Sequence, residues 1–80
     1  MVYDEIWSYT HDQIEQYLYS NGAVYDGAFY CLDECTVALE ALPSRRLGHF
    51  DFPQTRIMVD GPGADRFYHG FRLQFLTGGG

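Results

Sequence analysis

The amino-acid sequence predicts an α+β fold, a single small domain in which two helices pack on an antiparallel sheet with a C-terminal β-hairpin. Three observations predict it: a helical apolar stripe after a capping signal near residue 10, a second such stripe in residues 35–42, and alternating apolar and polar residues from position 54. Eighty residues make one domain, predicted as 1–77 with a flexible glycine tail at 78–80. Seven Tyr, six Phe and one Trp supply apolar mass for its core.

The first helix is predicted to run from Thr10 to Ser20. Thr10 and Gln13 have the spacing of a capping box, and Asn21-Gly22 supplies a left-handed stop. The side predicted to face the core has helical spacing: Ile14, Tyr17 and Leu18. The opposite side carries acids and a ring but no base: Asp12, Glu15, Gln16 and Tyr19. A solvated helix usually mixes charges to gain i,i+4 pairs, and this one does not.

Two stretches are predicted to lack helix. Residues 23–32 are expected to be extended, with Asp26-Gly27 in a tight turn between two short strands. Residues 43–53, bounded by prolines, are expected to form an irregular connection. Arg45 and Arg46 within it are expected to be stabilised by a preceding helix C-terminus and by pairing with acidic residues.

A second helix is predicted at about residues 34–42, capped by Asp33 and ended by Pro43. Its buried stripe has i, i+3, i+4, i+7 spacing: Cys35, Ala38, Leu39 and Leu42. Glu34 would lie in the first turn, where the helix dipole favours an acid, and Glu40 would project from another side.

The last third predicts a hairpin with strands at Gln54–Asp60 and Arg66–Leu76, joined by a turn at residues 61–65. Odd-numbered apolar residues would face the helices: Ile57, Val59, Phe67, Phe71, Leu73 and Phe75. Gly70 within the second strand would mark a bulge or a close backbone approach.

Charge is divided unevenly along the chain. All five bases are arginines in the second half, there is no lysine, and residues 1–44 carry eight carboxylates and no base. The same stretch holds six of the seven tyrosines and the only tryptophan. Such a field attracts cationic partners and repels nucleic acid and anionic membranes. We therefore expect a basic protein as partner, with no direct contact to nucleic acid or membrane.

No motif for catalysis or for a cofactor competes with that interpretation. The turn at residues 61–65 is predicted between strands, which excludes a phosphate loop, because such loops open a helix. The three serines lie outside any nucleophile elbow, and Cys31 and Cys35 lack the further ligands of a zinc site. We expect no enzymatic activity, no metal and no cofactor. Without a signal-peptide pattern or an apolar membrane span, the sequence predicts a cytoplasmic protein.

A short, acidic, Tyr-rich, lysine-free α+β domain without catalytic motifs resembles the small inhibitors of phages and mobile elements, especially anti-CRISPR proteins and other DNA mimics. The resemblance is one of type and rests on composition and on residues 1–44. It implies a non-enzymatic inhibitor in the cytoplasm of a bacterial host, a monomer or weak dimer. Its partner would be a basic nucleic-acid-binding protein, such as a CRISPR effector subunit, whose DNA or RNA site it blocks.

The residues expected to form the partner-binding surface are acids and tyrosines: Asp4, Glu5, Asp12, Glu15, Tyr19, Tyr25, Asp26, Asp33, Glu34 and Glu40. Two further tyrosines are candidate flat anchors, because tyrosine is enriched at binding hot spots: Tyr9 and Tyr30.

Three alternatives stay open. An acidic antitoxin or regulatory subunit that neutralises a basic toxin, such as an RNase, would have the same electrostatics. The final Phe75-Leu76-Thr77-Gly78-Gly79-Gly80 is similar to the tails of ubiquitin-like proteins and sulfur carriers, which implies an active Gly80 carboxylate. An acidic domain of a larger assembly is the third.

Overall fold

Five strands and two helices make up residues 2–76, the part of the chain that this computed structural model describes. The strands form one antiparallel sheet in the order β1-β5-β4-β3-β2. The predicted α+β class, a single domain with two helices and an antiparallel sheet, is confirmed, whereas the predicted glycine tail at 78–80 lies outside the described residues. In chain order the elements are β1 (Val2–Trp7), α1 (His11–Ser20), β2 (Val24–Tyr25), β3 (Tyr30–Cys31), β4 (Thr36–Leu47), β5 (Phe50–Asp60) and α2 (Ala64–Leu76).

The first predicted helix and the two short strands that follow it are confirmed as α1, β2 and β3. The Thr10 hydroxyl oxygen accepts a hydrogen bond from the backbone N–H of Gln13 at 3.1 Å. The Gln13 side-chain oxygen accepts one from the backbone N–H of Thr10 at 2.9 Å, which completes the capping box. Ile14 and Leu18 on the inner side are fully buried.

Replacing Thr10 by alanine is expected to lower the free energy of unfolding by about 1 kcal/mol, because the backbone N–H of Gln13 loses its acceptor. Urea denaturation followed by circular dichroism measures the change. Thr10→Ser keeps the hydroxyl and is expected to retain most of the stability. Equal losses in both variants would show that the cap is not the cause.

The second predicted helix is wrong, because residues 36–47 form strand β4. Val37 and Leu39 face the core, whereas Ala38 and Glu40 lie on the other side of the sheet. The predicted buried stripe is therefore divided between two faces. Pairing with β5 along the length of β4 provides hydrogen bonds and burial that outweigh the helix propensity of its Ala, Leu and Glu residues.

The stretch predicted as an irregular connection, residues 43–53, is instead the end of the β4–β5 hairpin, which we call the arm. The arm turns at Gly48, whose φ of 63° is the left-handed conformation that glycine favours. The register shifts between Leu42 and Arg45, where Pro43 lies, and a bulge is one of the places where a strand accepts proline. A β-ribbon of this length can present side chains on both of its faces.

The predicted C-terminal hairpin is also wrong in its second half. Gln54–Asp60 is a strand within β5 as expected, but Arg66–Leu76 lies in helix α2. Phe67, Phe71 and Phe75 recur every four residues, which places them along one side of a helix as well as on one side of a strand. Strand β5 pairs with β4 and β1 instead.

The predicted strand bulge at Gly70 is wrong, because Gly70 lies within helix α2. A Cβ atom at this position would lie 3.4 Å from the hydroxyl oxygen of Tyr17 on α1, an ordinary van der Waals distance. The predicted close backbone approach is therefore not what requires glycine there.

Both helices lie on one face of the sheet. Phe71 of α2 is fully buried, as are Ile57 and Val59 of β5. An aromatic layer joins α2 to the N-terminal segment: the Tyr3 and Tyr68 rings stack at 4.4 Å, and the Trp7 ring meets Phe71 edge-on at 5.1 Å. The core therefore depends on rings contributed by both ends of the chain.

Within residues 2–76 no helix covers the opposite face of the sheet, which we call the outer face. Alternation along β1, β4 and β5 places charged and apolar side chains there. Its charged residues are Asp4, Glu40, Arg45, Arg56 and Asp60. Its apolar residues are Ile6, Val24, Ala38, Leu42, Leu47, Phe50, Phe52 and Met58.

Neither helix of the described chain is long and apolar enough to cross a membrane.

Candidate partner-binding surface

Acids and tyrosines meet where α1 lies beside the β2–β3 hairpin. The Tyr30 hydroxyl donates a hydrogen bond to the Glu15 carboxylate. Around the Tyr30 ring, Tyr25 lies at 4.7 Å and Tyr19 at 5.7 Å between ring centroids. Asp12 is next to Glu15 at the start of α1, and Asp26 begins the turn after β2. We call this group the acidic-tyrosine surface: Asp12, Glu15, Tyr19, Tyr25 and Asp26.

Tyr30 lies beneath this surface and contacts three of its five residues: Glu15, Tyr19 and Tyr25. Its side chain is buried, and burial together with the Glu15 carboxylate raises the pKa of its hydroxyl well above the ordinary value of 10.0. The ring supports Tyr19 and Tyr25, which are 47% and 48% exposed. Two flat rings and a carboxylate are thus held in place before any partner arrives.

Asp26 organises the β2–β3 turn while remaining exposed. Its carboxylate accepts hydrogen bonds from the backbone N–H groups of Phe29 at 2.8 Å and Ala28 at 2.9 Å. These bonds lower the pKa of the Asp26 carboxyl, because they favour its charged form. The adjacent Gly27 has a φ of 102°, which permits the tight turn that the sequence predicted.

Replacing Tyr30 by phenylalanine is expected to lower the free energy of unfolding by about 1 kcal/mol at neutral pH, since the bond to Glu15 is lost. The raised folded-state pKa has a second consequence. The stabilisation that comes from this raised pKa is complete at pH values below 10.0, the pKa of tyrosine in the unfolded chain. It is lost as the pH rises through the higher pKa of Tyr30 in the folded protein. Unfolding measured at about pH 7 and about pH 11 should therefore show a smaller alkaline loss in the variant than in the parent. An equal alkaline loss in both proteins would contradict this role for Tyr30.

Two of the predicted site residues, Asp4 and Glu40, lie on the outer face instead. Arg56 lies between them, with its Nε 2.8 Å from Asp4 Oδ1 and its Nη1 3.5 Å from Glu40 Oε1. The guanidinium hydrogen bonds lower the pKa of the Asp4 carboxyl and raise that of Arg56. The pairing reduces the negative charge that Asp4 and Glu40 can offer to a partner.

The remaining predicted acids lie in two other places. Asp33 and Glu34 are in the β3–β4 loop, where the Glu34 carbonyl oxygen accepts a hydrogen bond from Gly63 N–H at 2.9 Å. Glu5 is exposed on β1, the strand at the edge of the sheet. The structure therefore groups half of the ten predicted residues on the acidic-tyrosine surface and disperses the others.

Two of the predicted aromatic anchors have structural roles. Tyr9 packs on Phe75 at 4.7 Å and donates its hydroxyl hydrogen to the Phe75 carbonyl oxygen at 2.6 Å. Tyr30 is buried beneath the surface that it supports. Tyr19 and Tyr25 are the members of this set that a partner can reach over a large area.

The prediction that the turn at residues 61–65 joins two strands is wrong, since the turn after β5 opens helix α2, as a phosphate loop does. Its chemistry nevertheless differs from that of a phosphate loop. The turn lacks the Lys-Ser/Thr pair of a phosphate loop, and Asp65 occupies the first turn of α2. Glu34 also lies against this turn, since a Cβ atom at Gly63 would be 3.1 Å from its carboxylate. Two carboxylates there repel an anion.

One group within the described residues could offer three ligand atoms to a cation: His11, Asp12 and Glu15, whose donor atoms lie within 4.8 Å of one another. An imidazole with two carboxylates suits a divalent transition metal. The expectation of no metal rested on the two cysteines, so this set was not predicted from the sequence. The i,i+4 spacing of His11 and Glu15 on one helix face could have revealed it.

Phe29 is a further exposed residue that sequence reasoning missed. It lies in the β2–β3 turn and is 48% exposed. Its backbone N–H is held by Asp26, so the ring is carried on an ordered turn beside the acidic-tyrosine surface.

Comparison with models of known protein families and with curated proteins finds no match to this chain.

Proposed function

We propose that the protein is a non-enzymatic inhibitor whose acidic-tyrosine surface binds a basic nucleic-acid-binding protein and blocks its DNA or RNA site. An anti-CRISPR-like activity in the bacterial cytoplasm, against an effector subunit, is the specific form of this proposal. The observation that carries it is the grouping of three carboxylates with two exposed tyrosines, in which hydrogen bonds hold Glu15 and Asp26, on a stretch of 44 residues without Lys or Arg.

The physical basis lies in what such a partner presents. Duplex DNA carries one negative charge per about 1.7 Å of axis, and proteins that hold it offer rows of Lys and Arg. Carboxylates on an ordered scaffold bind the same rows through charge-assisted hydrogen bonds. Tyr19 and Tyr25 add flat apolar area that ends in a polar hydroxyl, and they lose little conformational entropy on binding.

The first test is retention of bacterial lysate proteins on the immobilised chain at low salt, with and without excess duplex DNA. A basic nucleic-acid-binding protein that DNA releases supports the proposal and identifies the target. A retained protein that DNA does not release, such as a basic toxin, supports the antitoxin alternative instead. Retention of no basic protein contradicts the proposal.

Charge reversal at Asp12 then tests the surface on the captured partner. Asp12 has an 88% exposed side chain, so Asp12→Lys should leave the fold intact and weaken affinity about tenfold or more. Asp51→Lys on the arm changes net charge by the same amount and is expected to have little effect. Glu15→Gln keeps an acceptor for Tyr30 and removes only the charge. Titration calorimetry at two salt concentrations measures all three, and equal losses for Asp12→Lys and Asp51→Lys would show a net-charge effect without a docking site.

A further inference from the structure

An imidazole and two carboxylates lie together near the start of α1. His11, Asp12 and Glu15 each offer one ligand atom, and these atoms lie within 4.8 Å of one another. The His11 Nδ1 atom is 4.0 Å from Asp12 Oδ1. The imidazole distinguishes this group from a purely acidic cluster, because it supplies a nitrogen ligand. Transition metals such as zinc accept such a nitrogen, whereas Mg²⁺ and Ca²⁺ prefer oxygen ligands throughout.

No arginine within residues 2–76 neutralises the carboxylates of Asp12 and Glu15. The ion pairs of the arginines are made with Asp4, Glu40 and Asp51, and residues 1–44 contain no Lys or Arg. The two carboxylates on one side of α1 therefore repel each other, and a cation bound between them removes that repulsion. The positive end of the helix dipole opposes a cation here, but its effect amounts to less than about tenfold in affinity.

A buried group already holds one of the three ligands in place. Tyr30 is 3% exposed, and its hydroxyl donates a hydrogen bond to Glu15 Oε2. This bond leaves Glu15 Oε1 for a metal. Carboxylates that bind metals in proteins are usually hydrogen-bonded in this way, because the second partner orients the ligand.

The other two ligands can close on the ion. Zinc lies about 2.0–2.2 Å from its N and O ligands, so the ligand atoms of one site are about 3–3.5 Å apart. The donor atoms must therefore approach one another by at most about 1–2 Å. The side chains of His11 and Asp12 are 34% and 88% exposed, so both have room to rotate toward Glu15. Three protein ligands leave the fourth position of the ion to water.

We propose that His11, Asp12 and Glu15 form a binding site for a divalent transition-metal ion of the zinc type. The site does not rest on the proposed function, because all its ligands belong to this chain. It uses two of the three carboxylates of the acidic-tyrosine surface. A bound ion and a basic partner therefore compete for the same charges, and each weakens the binding of the other.

Titration calorimetry of Zn²⁺ into the full chain, freed of metal by a chelator, tests the site. The expected result is one ion per chain with a Kd below about 100 µM, unchanged by about 5 mM Mg²⁺. Weaker binding, or equal displacement by Mg²⁺, overturns the proposal. Cys31→Ser removes the more exposed of the two thiols and should bind Zn²⁺ as the parent does. Loss of binding in that variant would place the ion on a thiol and also overturn the proposal.

Replacement of the ligands then tests their identity. His11→Gln and Glu15→Gln should each weaken Zn²⁺ binding about tenfold or more, because each removes one of three ligands. Glu15→Gln keeps an acceptor for the Tyr30 hydroxyl. His49→Gln makes the matched change on the exposed arm and should leave the Kd unchanged. Circular dichroism checks that each variant is folded, and folded ligand variants that bind as tightly as His49→Gln contradict the site.

Paramagnetic Co²⁺ locates the ion without a substitution. Bound at this site, it should broaden the backbone amide signals of residues 11–15 in nuclear magnetic resonance spectra at lower Co²⁺ concentrations than those around His49 or His69. Broadening that begins at either of those histidines shows that the ion binds elsewhere, and the proposal then fails even if the affinity is as expected.

Discussion

Replacing Phe71 by alanine is expected to lower the free energy of unfolding by about 4 kcal/mol. Phe71 is fully buried, and its ring lies 5.1 Å from Trp7, 5.7 Å from Tyr17 and 4.7 Å from Phe75. Removing it opens a cavity among residues from β1, α1 and α2 that cannot all move inward. A chain of this size has a total stability of only about 4–12 kcal/mol, so the variant should be largely unfolded well below the melting temperature of the parent.

Urea denaturation followed by tryptophan fluorescence measures this loss, because Trp7 touches the Phe71 ring. Phe29→Ala is the matched control, since it removes the same atoms from a half-exposed position and should cost less than about 1 kcal/mol. A comparable loss in both variants would contradict the central position of Phe71. It would also weaken the assignment of residues 64–76 to a helix packed on the sheet.

Replacing Gly61 by alanine is expected to cost about 3 kcal/mol or more, because two effects act together. Gly61 has a φ of 127°, a conformation that side-chain-bearing residues rarely adopt. A Cβ atom there would also lie 2.6 Å from the Glu34 carbonyl oxygen and 2.9 Å from the Cys35 Cα atom. These are backbone atoms of the β3–β4 connection, so the clash is relieved only if the chain itself moves.

Gly27→Ala separates the two effects. Gly27 has a similar φ of 102°, but a Cβ atom there would meet nothing within 4 Å. The control should therefore cost only the conformational strain, about 1–2 kcal/mol. Thermal and urea unfolding of the two variants give the difference, which measures the steric contact between the β5–α2 turn and the β3–β4 connection. If the two losses are the same, that contact has no energetic weight.

The sequence predicted α1 well because its signals are local. The side chains of Thr10 and Gln13 accept hydrogen bonds from each other's backbone N–H groups, and this capping requires no other part of the chain. The assignment of Arg66–Leu76 failed because phenylalanines four residues apart match both the period of a strand and that of a helix. In the structure, Tyr68 distinguishes the helix from a strand. It is buried beside Phe67 and Phe71, and a strand would have turned it to the opposite face.

The site was predictable only to the extent that it lies on one helix. The spacing of Asp12, Glu15 and Tyr19 follows from helical geometry. Tyr25 lies beside them only because Tyr30 connects the β2–β3 hairpin to α1. A tertiary contact of this kind cannot be predicted from the periodicity of the sequence. The pairing of Asp4 and Glu40 with Arg56 depends on sheet order, since β1 and β4 flank β5.

The sheet order also determines when this protein can acquire its structure as it is synthesised. β1 is synthesised before the other four strands, yet its hydrogen-bonding partners, Thr55–Asp60, belong to the last of them. The β4–β5 hairpin joins neighbouring segments and can form early, whereas pairing across some 50 residues carries a large loop-closure cost. A nascent chain that stops before β5 leaves β1 without a strand partner, β4 with only the short strand β3, and the aromatic layer without α2. Vectorial synthesis therefore yields no stable intermediate built on β1, and the domain completes its fold only when almost all of it has emerged from the ribosome.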